Sequence, residues 1–232
     1  MTAAPLHLAG ERLMLDPAGV LVWPAARLLA VADLHLEKGS AQAARGMLLP
    51  PYDSRATLDR LAPLLCRWSP EVVLALGDSF HDKDGPARLG AAEAARIGAI
   101  AAAHRLVWIA GNHDPAPPAG LPGEAMDAFT AGPFTFRHEP GAPGPGRGSG
   151  GTIEIFGHLH PKAVLASRGG SLRRACFVAD ARRVLLPAFG TYTGGLAVTD
   201  PAIAGLFRPG ARVFLLGQER LFSFPLPARR PA

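Results

Sequence analysis

The chain reads as an α/β fold in which a βαβαβ series gives way to a β-rich second half. Three observations predict this. Apolar runs at 28–32, 72–76 and 106–110 each stop abruptly at polar residues, as strands buried on both faces do where they leave a sheet. Between them lie two segments of helical period. Beyond residue 130, short apolar runs alternate with Gly and Pro turns and no long helical pattern recurs.

Taken in order, runs at 12–15 and 20–22 flank Asp16-Pro17-Ala18-Gly19, where proline presets φ and glycine accepts φ > 0, which predicts an opening β-hairpin. The first helix is expected over 54–68, with Leu58, Leu61, Leu64 and Leu65 on one face. The second is expected over 87–104, rich in alanine, the best helix former. In an open α/β sheet ligands bind beyond the carboxyl ends of the strands, so the three polar strand ends should share one rim. In the second half, runs at 134–136, 153–156, 164–166, 176–178, 184–186, 196–198, 213–216 and 221–224 predict antiparallel strands without helix. The Gly/Pro-rich stretch 139–151 reads as a mobile loop, and the PARRPA end as frayed. With no repeat and no clean boundary, residues 1–232 are expected to form one domain.

Composition narrows the class. A chain of 232 residues with 48% apolar and 19% charged residues can bury a sizeable core. Two cysteines, Cys66 and Cys176, make neither a disulfide framework nor a CxxC, which excludes a secreted scaffold and a cysteine zinc site and favours a reducing cytoplasm. No apolar run has the length of a membrane helix, and Glu11 interrupts what a signal peptide would keep apolar. The 24 basic residues, all arginine except Lys38, Lys83 and Lys162, outnumber 19 acidic ones. That balance favours a polyanionic partner, although on composition alone a solvated basic surface is the preferred reading.

The polar strand ends are rich in metal-ligand side chains. Asp33-Leu34-His35 sets a carboxylate and an imidazole two residues apart; Gly77-Asp78 and Gly111-Asn112-His113-Asp114 follow the next two strands; His138 and Gly157-His158-Leu159-His160 follow two later ones. Counting His81, six of the eight histidines sit at or just past strand ends. Singly these are weak signals, because a strand-end Asp commonly caps a turn and a lone His is commonly a surface group. Together they place nitrogen and oxygen donors, without thiolate, on one rim, which suits Mn, Fe, Zn or Mg. The donors are too many for one tetrahedral zinc and suit two ions about 3.5 to 4 Å apart sharing a carboxylate.

The ordered set DLH, GD, GNHD, H and GHLH, from Asp33 to His160, resembles the calcineurin-like metallophosphoesterase superfamily. The resemblance implies a four-layer αββα sandwich, two mixed β-sheets flanked by helices. The phrases VADLHLEKG, RGMLLPPYDS, LALGDSFHD, IAGNHD, FRHEP, FGHLHP and LPAFGTYTGGL are similar to the ligase-associated DNA damage response endonucleases of the PdeM type. Two of these phrases, LPPYDS and LPAFGTYTGG, have no obvious chemical role. The family pattern implies one metal on Asp33, His35, Asp78 and His160, and a second on Asp78, Asn112, His138 and His158, with Asp78 bridging. Manganese is the implied ion, with Fe, Zn or Mg as alternatives. Two dications set against Asp33, Asp78 and one hydroxide leave a net positive centre, which attracts a phosphodiester and stabilises its more anionic transition state.

The resemblance also implies in-line attack on phosphorus by a hydroxide bridging the metals, with His113 as the catalytic histidine. Asp114 is expected either to orient His113 or to cap a turn. His81, in GDSFH, resembles the leaving-group histidine of the DNA-repair nucleases, against a reading as a surface histidine. Lys38, Arg45 and Tyr192 are the expected substrate contacts; Arg137 reads better as a surface charge, and the arginines from Arg168 to Arg183 either track a polynucleotide or are merely exposed. No large segment follows the β-rich half, whereas exonuclease relatives carry a capping domain there, so an open groove and mid-chain cutting are expected. The implied substrate is single-stranded DNA, with RNA as the alternative. The implied setting is DNA repair, in functional association with a DNA ligase, helicase and exonuclease. A small-molecule phosphodiesterase or phosphomonoesterase is the competing reading, and a metal-binding scaffold in a repair complex is a third that the complete donor set opposes.

Overall fold

In the computed structural model, which describes residues 1–116, 118–141, 152–167 and 170–227, the strands gather into two mixed sheets. The first contains, in spatial order, β1 (Ala4–Leu8), β2 (Glu11–Leu15), β3 (Leu21–Trp23), β4 (Leu28–Val31), β5 (Val72–Leu76), β6 (Arg105–Ile109) and β7 (Glu124–Met126). Strands β1 to β4 pair antiparallel, and β4 to β7 pair parallel. The second is built from β8 (Ala128–Ala131), β9 (Phe134–Arg137), β10 (Ile153–Phe156), β11 (Lys162–Ser167), β12 (Gly170–Ala179), β13 (Arg183–Leu185), β14 (Arg212–Leu216) and β15 (Leu221–Pro225). Its spatial order is β15-β14-β12-β13-β10-β9-β8, with β11 paired to β12.

The expected antiparallel second half needs correcting at its centre. Strand β10 runs parallel to both β9 and β13. The chain between β10 and β13 is taken up by the β11–β12 hairpin, so neighbours in sequence are not neighbours in the sheet, and local pattern carries no signal of that. Segment 196–198 is not a strand either. It lies as a loop bridged at Ala197 to Lys162, with Val198 buried.

Alternation along the strands fills three layers of core. Inward residues such as Leu28, Ala30, Leu74 and Val107 of the first sheet meet Phe134, Phe136, Ile155 and Phe177 of the second. Each large side chain taken fully from water contributes about 1.5–3 kcal/mol. The opposite face of the first sheet, with Leu29, Val31, Val73 and Trp108, is covered by Leu58, Leu61 and Leu65 of α2 (Asp53–Trp68) and Ile97 of α4 (Ala91–Ala103). The outer face of the second sheet, with Phe156, Cys176, Val178 and Val213, is covered by Val198 and by Ile203 of the single-turn α5 (Pro201–Ala204). The expected sandwich is therefore present, with a thin outer layer on one side.

The predicted helix 87–104 is broken. Pro86 starts the short α3 (Gly85–Arg88), after which Leu89 and Gly90 are extended and α4 begins. A further short helix, α1 (Lys38–Ala43), has no sequence signal because Gly39 weakens it. Tertiary contacts hold it: the Gly39 amide donates to Asp53 Oδ2 at 3.2 Å, and the Ser54 hydroxyl donates to Glu37 just before it. The Asp53-Ser54 pair of the LPPYDS phrase thus anchors the turn that carries Lys38. The opening hairpin stands as expected, closed by Gly19 N to Asp16 O at 2.9 Å. Cys66 is exposed, Cys176 is buried, and both are free of disulfides. No helix among the described residues is long and apolar enough to cross a membrane.

Candidate metal centre

Parallel pairing brings the strand ends to one rim. Strands β4, β5 and β6 deliver Asp33, Asp78 and Asn112 from the first sheet. In the second sheet, register pairs Phe156 with Arg137, so the chains leaving β9 and β10 emerge side by side and the Gly157 amide donates to the His138 carbonyl at 3.1 Å. That register places His138 beside His158.

The turns that follow are sharp. Asp33, His35, Asp78, His158 and His160 all have positive φ, between 42° and 73°, a region costly for residues with a side chain. Crowding explains why glycines precede several of them. A Cβ on Gly77 would overlap the His138 ring, and one on Gly111 the Asp78 backbone. One on Gly157 would lie 2.6 Å from Asp33 Oδ2. The FGTYTGG phrase has a structural part: Phe189 and Gly190 amides donate to the Ala32 and Asp33 carbonyls at 2.9 and 3.0 Å, and Gly195 packs on the His160 backbone. It ties both sheets together under the rim.

All seven expected donors converge. Asp33, His35 and His160 form one cluster whose ligand atoms lie within 4.8 Å of one another, and Asp78, His138 and His158 form a second. His35 Nε2 lies 3.2 Å from His160 Nε2, and His160 Nε2 lies 3.4 Å from Asp33 Oδ1. His138 Nε2 lies 3.2 Å from His158 Nδ1 and 2.9 Å from Asn112 Oδ1. Asp78 stands between the clusters, with Oδ2 at 3.8 Å from His35 Nε2 and Oδ1 at 3.4 Å from His138 Nε2. Imidazole nitrogens facing each other, with carboxylate oxygens turned toward both, make a donor set that divalent cations satisfy. The residues fit a pair of ions with Asp78 shared.

Charge and burial reinforce this. Burial opposes ionisation of Asp78, yet the hydrogen bond and charge of His138, the amide of His113 and the nearby His35 outweigh it and hold the carboxyl at about 2. Burial also acts to lower His138, but Asp78 and Asp33 overcome it and raise the imidazole to about 9. The Leu76 carbonyl takes Nδ1 of His138 at 3.0 Å, which fixes the ring and leaves Nε2 facing the centre. His35 is lowered to about 3, first by burial and then by His160, and His158 is lowered by burial and His138.

A third histidine group adjoins the first. His35, His81 and His113 lie together, with the His81 and His113 rings stacked at 5.4 Å. His113 Nδ1 is 2.8 Å from the His81 carbonyl, and its Nε2 points toward Asp78 Oδ2 at 3.9 Å. Of the two roles expected for Asp114, orienting His113 or capping a turn, the structure shows the cap. Asp114 is buried and accepts the Phe80 amide at 3.0 Å, so it caps the turn after Asp78, and burial raises its carboxyl to about 6. A sequence gives no means of seeing that the orienting group is a main-chain carbonyl 32 residues away.

Of the expected substrate contacts, Lys38 begins α1 and Arg45 is exposed just beyond it, and after burial their charges lower the His81 imidazole. Tyr192 is exposed and donates from its hydroxyl to the Pro50 carbonyl at 3.4 Å, beside an apolar turn that exposes Met47, Leu48 and Tyr52. Arg137 pairs with Glu154 at 3.4 Å, and Arg173 donates to the Gly195 carbonyl. Arg168 lies outside the described residues, as do 142–151 of the expected mobile loop and 228–232 of the expected frayed end.

Residues 26–178 match the family described as calcineurin-like phosphoesterase. The chain belongs to the calcineurin-like phosphoesterase family. It is similar to a solved structure described as Pseudomonas putida nuclease MPE, with 32% identity and a TM-score of 0.72, over 95% of this chain and 100% of that one. Another solved structure is that of Yfce, a phosphoesterase from E. coli, with 14% identity and a TM-score of 0.42 over 86% of this chain and 99% of that one. No curated protein matches. As a calcineurin-like phosphoesterase the chain is a metal-dependent phosphoester hydrolase, and the family works with a binuclear divalent centre, for which the two donor clusters are the candidates.

Proposed function

We propose that this phosphoesterase is an endonuclease that cuts single-stranded DNA in DNA repair, using two divalent ions, manganese by preference. The observation that carries the reading is the placement of His81 and His113 at the edge of the donor clusters, with Lys38 and Arg45 near enough to act on His81. Similarity to a nuclease over nearly the whole chain supports it. When bound, the ions supply positive charge for the phosphodiester and make water nucleophilic at neutral pH. Asp33, His35, Asp78 and His160 would hold one, and Asp78, Asn112, His138 and His158 the other.

The chain's own residues supply the rest. His113 donates from Nδ1 to the His81 carbonyl, which fixes the ring and leaves Nε2 available to exchange a proton with a phosphate oxygen. His81, whose imidazole is lowered by burial and by Lys38, lies beside it, placed to pass a proton to the leaving strand. Lys38 and Arg45 offer cations to the flanking phosphates.

Incubation of circular single-stranded DNA with Mn²⁺ should convert circles to linear strands, and circles left intact would exclude endonucleolytic cutting. Binding should weaken steeply with salt, because each phosphate contact releases counterions. A flat salt response would point to a small-molecule phosphoesterase. His81→Ala should lower strand cleavage by about a hundredfold, the low end of what a positioned acid contributes, and spare an activated aryl phosphodiester whose leaving group needs no proton. Equal losses on both substrates would remove His81 from the leaving-group role.

A further inference from the structure

The rim is asymmetric in charge. On the side of β6 and β9, a hollow of about 230 Å³ is walled by Asn112 and His138 together with Asp127, Arg137 and Glu139. Both carboxylates there are exposed, and the guanidinium is paired with Glu154. Cations line the other side. Lys38 stands close enough to His81 for its charge to act on that ring, and close enough to Lys162 to act there too, as Arg173 also does. The order from the histidine outward is His81, Lys38, Lys162, Arg173. Strand register sets the outer two: in the β11–β12 hairpin Lys162 lies opposite Ala175 and Val164 opposite Arg173, so Lys162 and Arg173 are diagonal neighbours on one face. That face meets the 193–195 loop. Lys162 Nζ donates to the Thr193 carbonyl at 3.0 Å, and Arg173 donates to the Gly195 carbonyl. Gly195 in turn packs on the backbone of His160, a candidate metal ligand. A bond to a neutral carbonyl leaves each cation its charge and its remaining N–H donors. Among the described residues neither is paired with a carboxylate.

We propose that Lys38, Lys162 and Arg173 form a phosphate track that grips one flank of the cut strand, the flank that leaves. The inference rests on the nuclease reading and deepens it by giving the strand a direction. The track starts at His81, the histidine assigned to the leaving oxygen, so the nucleotides that depart with that oxygen are the ones that lie along it. Like charges gathered in this way repel one another, and a polyanion laid across them relieves the repulsion. A small substrate would need cations only beside the metals. Cations that continue outward from the centre suit a substrate whose phosphates continue too. The other flank finds no such grip, because Asp127 and Glu139 repel phosphate and Arg137 is committed to Glu154.

The test uses two DNA single strands, each half ordinary phosphodiester and half uncharged methylphosphonate, with the neutral block at the 5′ end of one and at the 3′ end of the other. End-group analysis of the fragments shows which flank leaves as a hydroxyl. Ordinary bonds beside the junction should be cut about tenfold more slowly where the neutral block forms that leaving flank, the effect of losing a charge-assisted contact. Where the block forms the other flank, the rate should stay within about twofold of an unmodified strand. Lys162→Gln and Arg173→Gln each keep a donor for the loop carbonyl and lose the charge. Each should lower the slope of log affinity against log salt by about 0.7, and the two together should shrink the effect of a neutral leaving flank to about threefold or less. The comparison of strands in the wild type decides the matter even where the double variant does not fold. Equal rates on the two strands, slowing confined to the other flank, or full sensitivity in a folded double variant would overturn the track while leaving the nuclease reading intact. Failure to cut an unmodified strand would overturn the nuclease reading and this one with it.

Discussion

Asp78→Asn should abolish most of the activity, lowering turnover of an aryl phosphodiester by about a thousandfold or more, beyond the loss expected from removing one transition-state contact. The carboxylate turns one oxygen toward His35 and the other toward His138, and so faces both donor clusters. An amide in its place keeps the shape and the contact with the His113 amide but removes the charge that holds a second cation beside the first. Bound manganese, measured by elemental analysis after dialysis, should fall from two per chain to one or none. A variant that keeps two ions and near-normal turnover would remove Asp78 from the shared position. In the metal-free chain the same carboxyl, depressed to about 2, stabilises the fold above its unfolded value near 4. That contribution is lost as pH falls toward 2, and the Asn variant lacks it.

Metal uptake should release a proton and weaken as the solution is acidified. His138 holds its proton up to about pH 9 in the metal-free chain, because Asp78 and Asp33 outweigh burial. A cation taking its Nε2 must displace that proton, so apparent affinity should fall close to tenfold per pH unit below 9 from this group alone. Calorimetry of manganese binding in buffers of different ionisation enthalpy should count about one proton released near pH 7.5. No release at that pH would mean His138 stays out of the coordination sphere. Stability without metal runs the other way. A histidine raised from 6.5 to about 9 stabilises the fold fully below pH 6.5, and that contribution, about 3 kcal/mol, is lost as pH rises through 9.

The strand ends of the first half, with Asp33, Asp78 and Asn112, were legible in the sequence because a buried parallel strand is a continuous apolar run that must stop where the chain turns. His138 and His158 were legible as candidates, but their adjacency was not. It depends on the parallel pairing of β9 with β10, which joins residues across a connection whose course no local pattern encodes. Between the two roles open to Asp114 the sequence could not choose for a related reason: a carboxylate next to a histidine in sequence points elsewhere when the backbone turns, and the Phe80 amide is what it finds. The LPPYDS and FGTYTGG phrases had no visible role because their work is done by Asp53, Ser54 and main-chain groups near Asp33 and His160.

The candidate coordination spheres each draw on both halves of the sandwich, since Asp33 and His35 face His160, and Asp78 faces His138 and His158. A cation seated there acts as a rivet through two plates. Parting the plates at that rim means giving up the ion, so a loaded chain should resist denaturant more than an empty one, by an amount that grows with the logarithm of free metal. A half-made chain that has not yet reached residue 158 lacks one histidine of each sphere. Metal acquisition is in this sense the last act of folding, and metal depletion should loosen the body of the protein as well as silence it.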